Sequence, residues 1–111
     1  MPRDYKVYLD DIVEAAARIR RYTAGLSLEA LRDDTKTLDA VVRNLEVIRE
    51  AVKKVPVQVH CRQPDVEWRK IAGLRDILIH EYFGIDVEII WDIVQQKIPL
   101  LEQQAKQLLL E

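Results

Sequence analysis

The chain of 111 residues has one cysteine, three glycines, four prolines and one phenylalanine. A single thiol, Cys61, makes no internal disulfide, and no cysteine pair stands at metal-ligand spacing. One His and one Cys side by side, His60 and Cys61, do not make a metal site, so no metal and no cofactor is expected. Few glycines and prolines leave room for few chain reversals, which favours long helices. The start, Met1 to Lys6, has no apolar run of the kind a secretory signal needs. No apolar run approaches the roughly 18 residues of a membrane span. The expectation is a cytoplasmic protein in a reducing compartment, with no membrane role.

What is present is an ordinary globular composition, 49% hydrophobic and 32% charged. The length suits a single domain over residues 1–111 with one core. Net charge is −2, which makes no global case for nucleic acid. The distribution is uneven. Residues 43–75 carry eight cations against four carboxylates, a local +4 that leaves −6 elsewhere. Either a local basic surface or plain solvated helix faces would produce this pattern.

Periodicity divides the chain into helices. Pro2 suits a first helical turn. Tyr5, Tyr8, Leu9, Ile12, Ala15, Ala16, Ile19 and Tyr22 then form an apolar stripe that ends at Gly25. Ser27 caps a short turn through Leu31. Asp33 or Asp34 caps a second long helix with the stripe Leu38, Val41, Val42, Leu45, Ile48 and Val52, which Lys53, Lys54 and Pro56 close. Residues 56–64 read as a loop with one helical turn. Asp65 is placed to cap a third helix through Trp68, Ile71, Leu74, Leu78 and Tyr82, with Gly84 as its stop. Asp86 caps a fourth, which Pro99 must kink or restart before Leu100–Leu110. The fold class is all-α: an antiparallel bundle of four helices, or five if the short turn counts.

The third helix contains an anomaly. Its apolar sector holds Ile71, Ala72, Leu78, Ile79 and Tyr82, and Arg75 falls in the middle of it. A guanidinium there needs acceptors or an anion. A structural arginine paired within the bundle, or one that snorkels, meets that need as well as a phosphate does. Asp76 and His80 lie four apart on the other side, beside Gly73. Asp76 can orient the ring for acid–base work, though a lone helical histidine is more often a surface residue. Gly73 leaves a flat spot for a second backbone. Arg75 and His80 sit about 140° apart on a straight helix, while Tyr82 lies near the arginine. Local unwinding, a wrapping arginine or a second subunit would each reconcile them.

Arg75, four residues, His80, one residue, Tyr82 resembles the Arg-x4-His-x-Tyr signature of HepT-like toxins in the HEPN superfamily. Three further blocks resemble that family in order and spacing: 34–46 on the second helix, 64–75 on the approach, and His80 to Asp86 followed by Trp91 and Pro99-Leu100. Tyr8 to Ile12 fits the start. Arg49 departs from the pattern, since a small residue, often Gly, is expected there. The resemblance implies an HEPN-like helical bundle that forms a homodimer, with the two motifs facing across a cleft. It implies a metal-independent ribonuclease toxin acting on tRNA or mRNA and leaving 2′,3′-cyclic phosphate and 5′-hydroxyl ends. Arg75, Asp76 and His80 would be its catalytic residues. It also implies a minimal nucleotidyltransferase antitoxin as partner, which transfers AMP to Tyr82.

Arg43 and Asn44 match a second-helix pair that lines the family's cleft. A helix-packing arginine beside an exposed asparagine is the plain alternative. Arg69 and Lys70 join Lys53 and Lys54 as candidate RNA contacts or solubilising charges. Trp68 and Trp91 read as core or interface anchors. The rival to the enzyme is a non-catalytic helical binding or regulatory module that interacts with a nucleotidyltransferase.

Overall fold

Leu9, Ile12, Ala16 and Ile19 have no solvent exposure at all, and this stripe organises the other long helices. A computed structural model describes residues 4–74 and 86–111. Helix α1 spans Tyr5–Thr23. Asp4 caps it by accepting from the Lys6 amide at 3.0 Å. Pro2 lies outside the described residues. The stripe ends on Thr23, not Tyr22 as the periodicity suggested. Thr23 falls four residues after Ile19, near the stripe's axis. Its hydroxyl donates to the Ile19 carbonyl at 2.8 Å, while Tyr22 is 41% exposed. Gly25, with φ of +76°, supplies the left-handed residue that turns the chain out of the helix.

Helix α2 (Leu28–Asp33) starts on Ser27, whose hydroxyl accepts from the Ala30 amide. Helix α3 (Thr35–Lys54) follows at once. Of the two candidate caps, Asp34 does the work, accepting from both the amide and the hydroxyl of Thr37. Its carboxyl is held below the usual range by those two bonds. One turn between the prolines, α4 (Val57–His60), precedes α5 (Trp68–Ala72). Helix α6 (Val87–Asp92) starts on Asp86, which accepts from the Ile89 amide. It runs through a π-helical turn, Ile93–Lys97, into α7 (Ile98–Leu110).

That wide turn is how the chain accommodates Pro99. In a regular helix the residue at 99 would donate to the carbonyl four back, and the proline ring would meet that carbonyl. Instead, the Ile98 amide donates to Ile93, five residues back. Pro99 then sits in the first turn of α7, where no donor is needed. The expected restart is therefore a π turn, with no break in the chain's course.

Side-chain pairs give the helix directions. Arg20, late in α1, holds Glu102, early in α7, through two bonds of 3.1 Å. Arg62 meets both Tyr5, at the start of α1, and Glu111, beyond the end of α7. The Lys54 ammonium, at the end of α3, lies over the Tyr8 ring near the start of α1. Helices α3 and α7 thus both run antiparallel to α1, and both pack on it. The described residues form an all-helical bundle, as expected.

The burial pattern sets a test. Ile12→Ala is expected to cost about 2–5 kcal/mol in chemical denaturation. Tyr22→Ala should cost less than about 1 kcal/mol. Equal losses would mean that the stripe's axis is misassigned.

Candidate functional site

The motif residues Arg75, Asp76, His80 and Tyr82, with the predicted helix stop Gly84, lie outside the described residues. The structure describes what holds the two ends of that segment, Leu74 on one side and Asp86 on the other.

The entry is fixed by α5. Asp65 does not cap this helix as expected. The turn before it folds inward, with the Val66 amide donating to the Gln63 carbonyl and the Val66 side chain buried. Trp68 is buried too, and its indole N–H donates to the same carbonyl at 3.0 Å. His60 of α4 stacks on the Trp68 ring, with centroids 4.2 Å apart and planes within 10°. These contacts move the start of the helix to Trp68, two residues later than a cap at Asp65 implies. Trp68 is thus a core anchor, as the pattern suggested, and Trp91 packs half-buried against the core. The His60 Nε2 atom is buried without a hydrogen-bond partner.

Glu67, at the N-cap position of α5, makes no capping bond. Its carboxylate instead binds Lys70 one turn on, at 2.9 Å, and Lys97 of the π turn, at 2.6 Å. Those two ammonium groups, Lys70 first, hold the carboxyl down to about 2. The Lys97 ammonium is raised in return. The wide turn that Pro99 requires therefore also carries a cation that latches onto α5.

Beside this latch is an apolar cavity of about 450 Å³, with Ile48, Ile71, Leu74, Ile93, Ile98 and Leu101 among its walls. Its rim is apolar as well: Ile89 is 41% and Leu100 51% exposed. Gly73 also borders it. A Cβ at Gly73 would meet only carbonyl oxygens of its own turn, at 3.4 and 3.5 Å. The chain's own described packing thus tolerates a methyl group there.

Arg43 and Asn44 do not form a joint surface. Arg43 is exposed, in a shallow hollow with Tyr8, Asp11 and Lys54. Asn44 is buried, and its amide donates to the Ala40 carbonyl at 2.9 Å. The arrangement reverses the plain alternative of a packing arginine beside an exposed asparagine. Arg69 and Lys70 are both exposed. Lys70 is committed to Glu67, whereas Arg69 has no carboxylate partner among the described residues.

One buried charge was missed. Arg49 is only 7% exposed and pairs with Glu46 at 3.0 Å and Glu50 at 2.7 Å. Its guanidinium is raised, chiefly by the Glu46 hydrogen bond. The i−3 and i+1 carboxylates were the available signal. Two atoms of this cluster, Arg49 Nε and Glu46 Oε1, are buried without partners.

The ion pairs give a pH prediction. Glu67 and Glu102 both titrate below the ordinary carboxylate range, Glu102 chiefly through its hydrogen bond from Arg20. Depressed folded-state values contribute stability above the unfolded pKa, and that stability is lost as pH falls through the folded value. The melting temperature should decline between about pH 4.5 and about pH 2. Glu67→Gln should make that decline shallower, and an unchanged acid limb would show that the latch is not formed in solution.

The comparisons with known proteins agree with this frame. The family model described as "Ribonuclease HepT-like" matches residues 12–108. "Probable ribonuclease HepT" of Thermococcus cleftensis is 42% identical over 108 residues, 97% of this chain and 98% of the relative. "Putative RNase MJ0127" of Methanocaldococcus jannaschii is 47% identical over 100 residues, 89% and 83% of the two chains. "Putative RNase TTE0752" of Caldanaerobacter subterraneus is 41% identical over 102 residues, 92% and 91%. No solved structure matches the chain. With all but the ends of its sequence inside the match, the chain belongs to the HepT-like ribonuclease family.

Proposed function

We propose that this protein is a metal-independent endoribonuclease toxin, acting as a single-domain homodimer and neutralised by a minimal nucleotidyltransferase antitoxin. The observation that carries the reading is the family match over residues 12–108 in a chain that keeps Arg75, His80 and Tyr82 at the signature spacing. RNA is the substrate class.

The side chains suit the chemistry. His80 is the motif residue whose ordinary pKa lies near neutrality, so it serves as the acid–base group. It takes the proton of the ribose 2′-hydroxyl, and that oxygen attacks the adjacent phosphorus. The bond to the 5′ oxygen breaks, and the leaving oxygen receives a proton. The products are a 2′,3′-cyclic phosphate and a 5′-hydroxyl. Arg75 offers a planar fork to the phosphate oxygens as charge builds on them. Asp76, one helical turn before His80, orients the imidazole. The angular separation of Arg75 and His80 on one helix is why a second subunit enters the reading.

AMP on Tyr82 would bring a negative phosphate next to Arg75, into the place the RNA phosphate needs. Antitoxin action would then be occlusion and charge competition at the site itself.

Expression alone should slow growth, and sequenced RNA ends should carry the cyclic phosphate. His80→Ala should remove both effects, with a loss of cleavage of about 100-fold or more. Unchanged cleavage in His80→Ala would end the mechanism. Mass spectrometry after co-expression with the nucleotidyltransferase should find one AMP on Tyr82. An unmodified tyrosine with toxicity still neutralised would remove the transfer step.

A further inference from the structure

We propose that the groove between the end of α3, α4 and α5 is the track on which the RNA backbone approaches the motif. The proposal rests on the ribonuclease reading and adds a place and a mode of binding to it. The groove measures about 620 Å³, and Lys53, Val57, His60, Trp68, Arg69 and Lys70 are among its walls. One wall is α5, two residues beyond which the chain reaches Leu74 and then the motif. A strand held here is delivered to the segment that would cut it.

The charge is right for phosphate. Residues 53–70 carry five cations and two carboxylates in a chain of net −2, which leaves −5 for the rest. Lys53 and Arg69, on different elements, have no carboxylate partner among the described residues. By contrast Arg18, Arg32 and Lys106 elsewhere on the surface are paired. Of the two carboxylates, Glu67 is already offset by Lys70 and Lys97. The ammonium of Lys53 and the guanidinium of Arg69 are the available contacts, and both suit phosphate oxygens.

The groove does not read bases. Its two aromatic rings are stacked on each other, His60 on Trp68, and Trp68 is buried. No open ring face is left for a base to lie on, which is how single strands gain stacking affinity. Binding here is electrostatic and indifferent to sequence, so target choice must be made elsewhere on the molecule. An acidic protein segment would meet the same cations. RNA is favoured because the groove leads into the segment that carries the proposed catalytic residues.

The test measures affinity for a short unstructured RNA across a salt series. It uses the intact protein, Lys53→Gln, Arg69→Gln, the double variant, and Arg18→Gln as a control on α1. Each groove substitution should make the log–log salt dependence shallower by about 0.7, and the double by about 1.4. Binding by the double variant should be about tenfold weaker near 0.1 M salt. In cleavage assays the loss should appear in KM more than in kcat, and melting temperatures should not move. Arg18→Gln should keep the parental slope. A parental slope in the double variant overturns the track, even if cleavage persists and the ribonuclease reading stands. Normal RNA binding with lost capture of the nucleotidyltransferase overturns it too, and makes the groove a protein interface. Groove-dependent binding by a protein that cuts no RNA removes the ribonuclease reading and leaves the track.

Discussion

The bundle depends on one helix being wrapped from two sides. Helix α1 gives Leu9, Ile12, Ala16 and Ile19 wholly to the interior, with α3 and α7 both packed against it. Fully burying a large aliphatic side chain is worth about 1.5–3 kcal/mol, so this stripe is the main reason α3 and α7 have a common place to dock. The Arg20–Glu102 pair adds direction: Glu102 is nearly buried and accepts two bonds from one guanidinium. A carboxylate in that position would be costly without its partner. Reversing α7 would orphan it, so the pair selects against the wrong orientation.

The elements that frame the motif stand at the margin of this core. Helix α5 is a single short turn held by Trp68, His60 and the Glu67 latch, and α6 begins on a side-chain cap. The latch joins the two halves of the frame, since Glu67 stands before the motif and Lys97 after it. Exposed ion pairs contribute little to stability as a rule. A pair bridging two elements that flank a functional segment has a different value, because it sets their separation.

The features legible in the sequence were those whose chemistry is local. Ser27, Asp34 and Asp86 each cap a helix through an amide two or three residues on, so a short window of sequence holds all the information. The long stripes of α1 and α3 were legible because their period repeats over five turns. The misreadings share a different cause. Asp65 looks like a cap, but Glu67 and Trp68 are drawn to partners 30 and 5 residues away, and those contacts decide where the helix starts. Arg43 and Asn44 were read as a pair because they are neighbours in sequence, yet adjacent helical residues point about 100° apart. Tyr22 was preferred over Thr23 on hydrophobicity, although a threonine hydroxyl can be buried once it bonds the preceding turn. The His60–Trp68 stack depends on how a turn between two prolines folds, which no periodicity reports.

The π turn at Ile93–Lys97 has a consequence for chain length. Its buried face runs Ile90, Val94, Ile98, Leu101, Ala105 and Leu108, spaced four, four, three, four and three. Two consecutive steps of four would rotate a regular helix face out of register, and the wide turn absorbs that rotation. The segment therefore holds one residue more than an α-helix needs between the same two core positions. Among related chains, a version one residue shorter here could keep every downstream core contact, provided it also lacked the proline. Alignments should place a single-residue gap at this turn, and the presence or absence of a proline two residues after it should follow that gap.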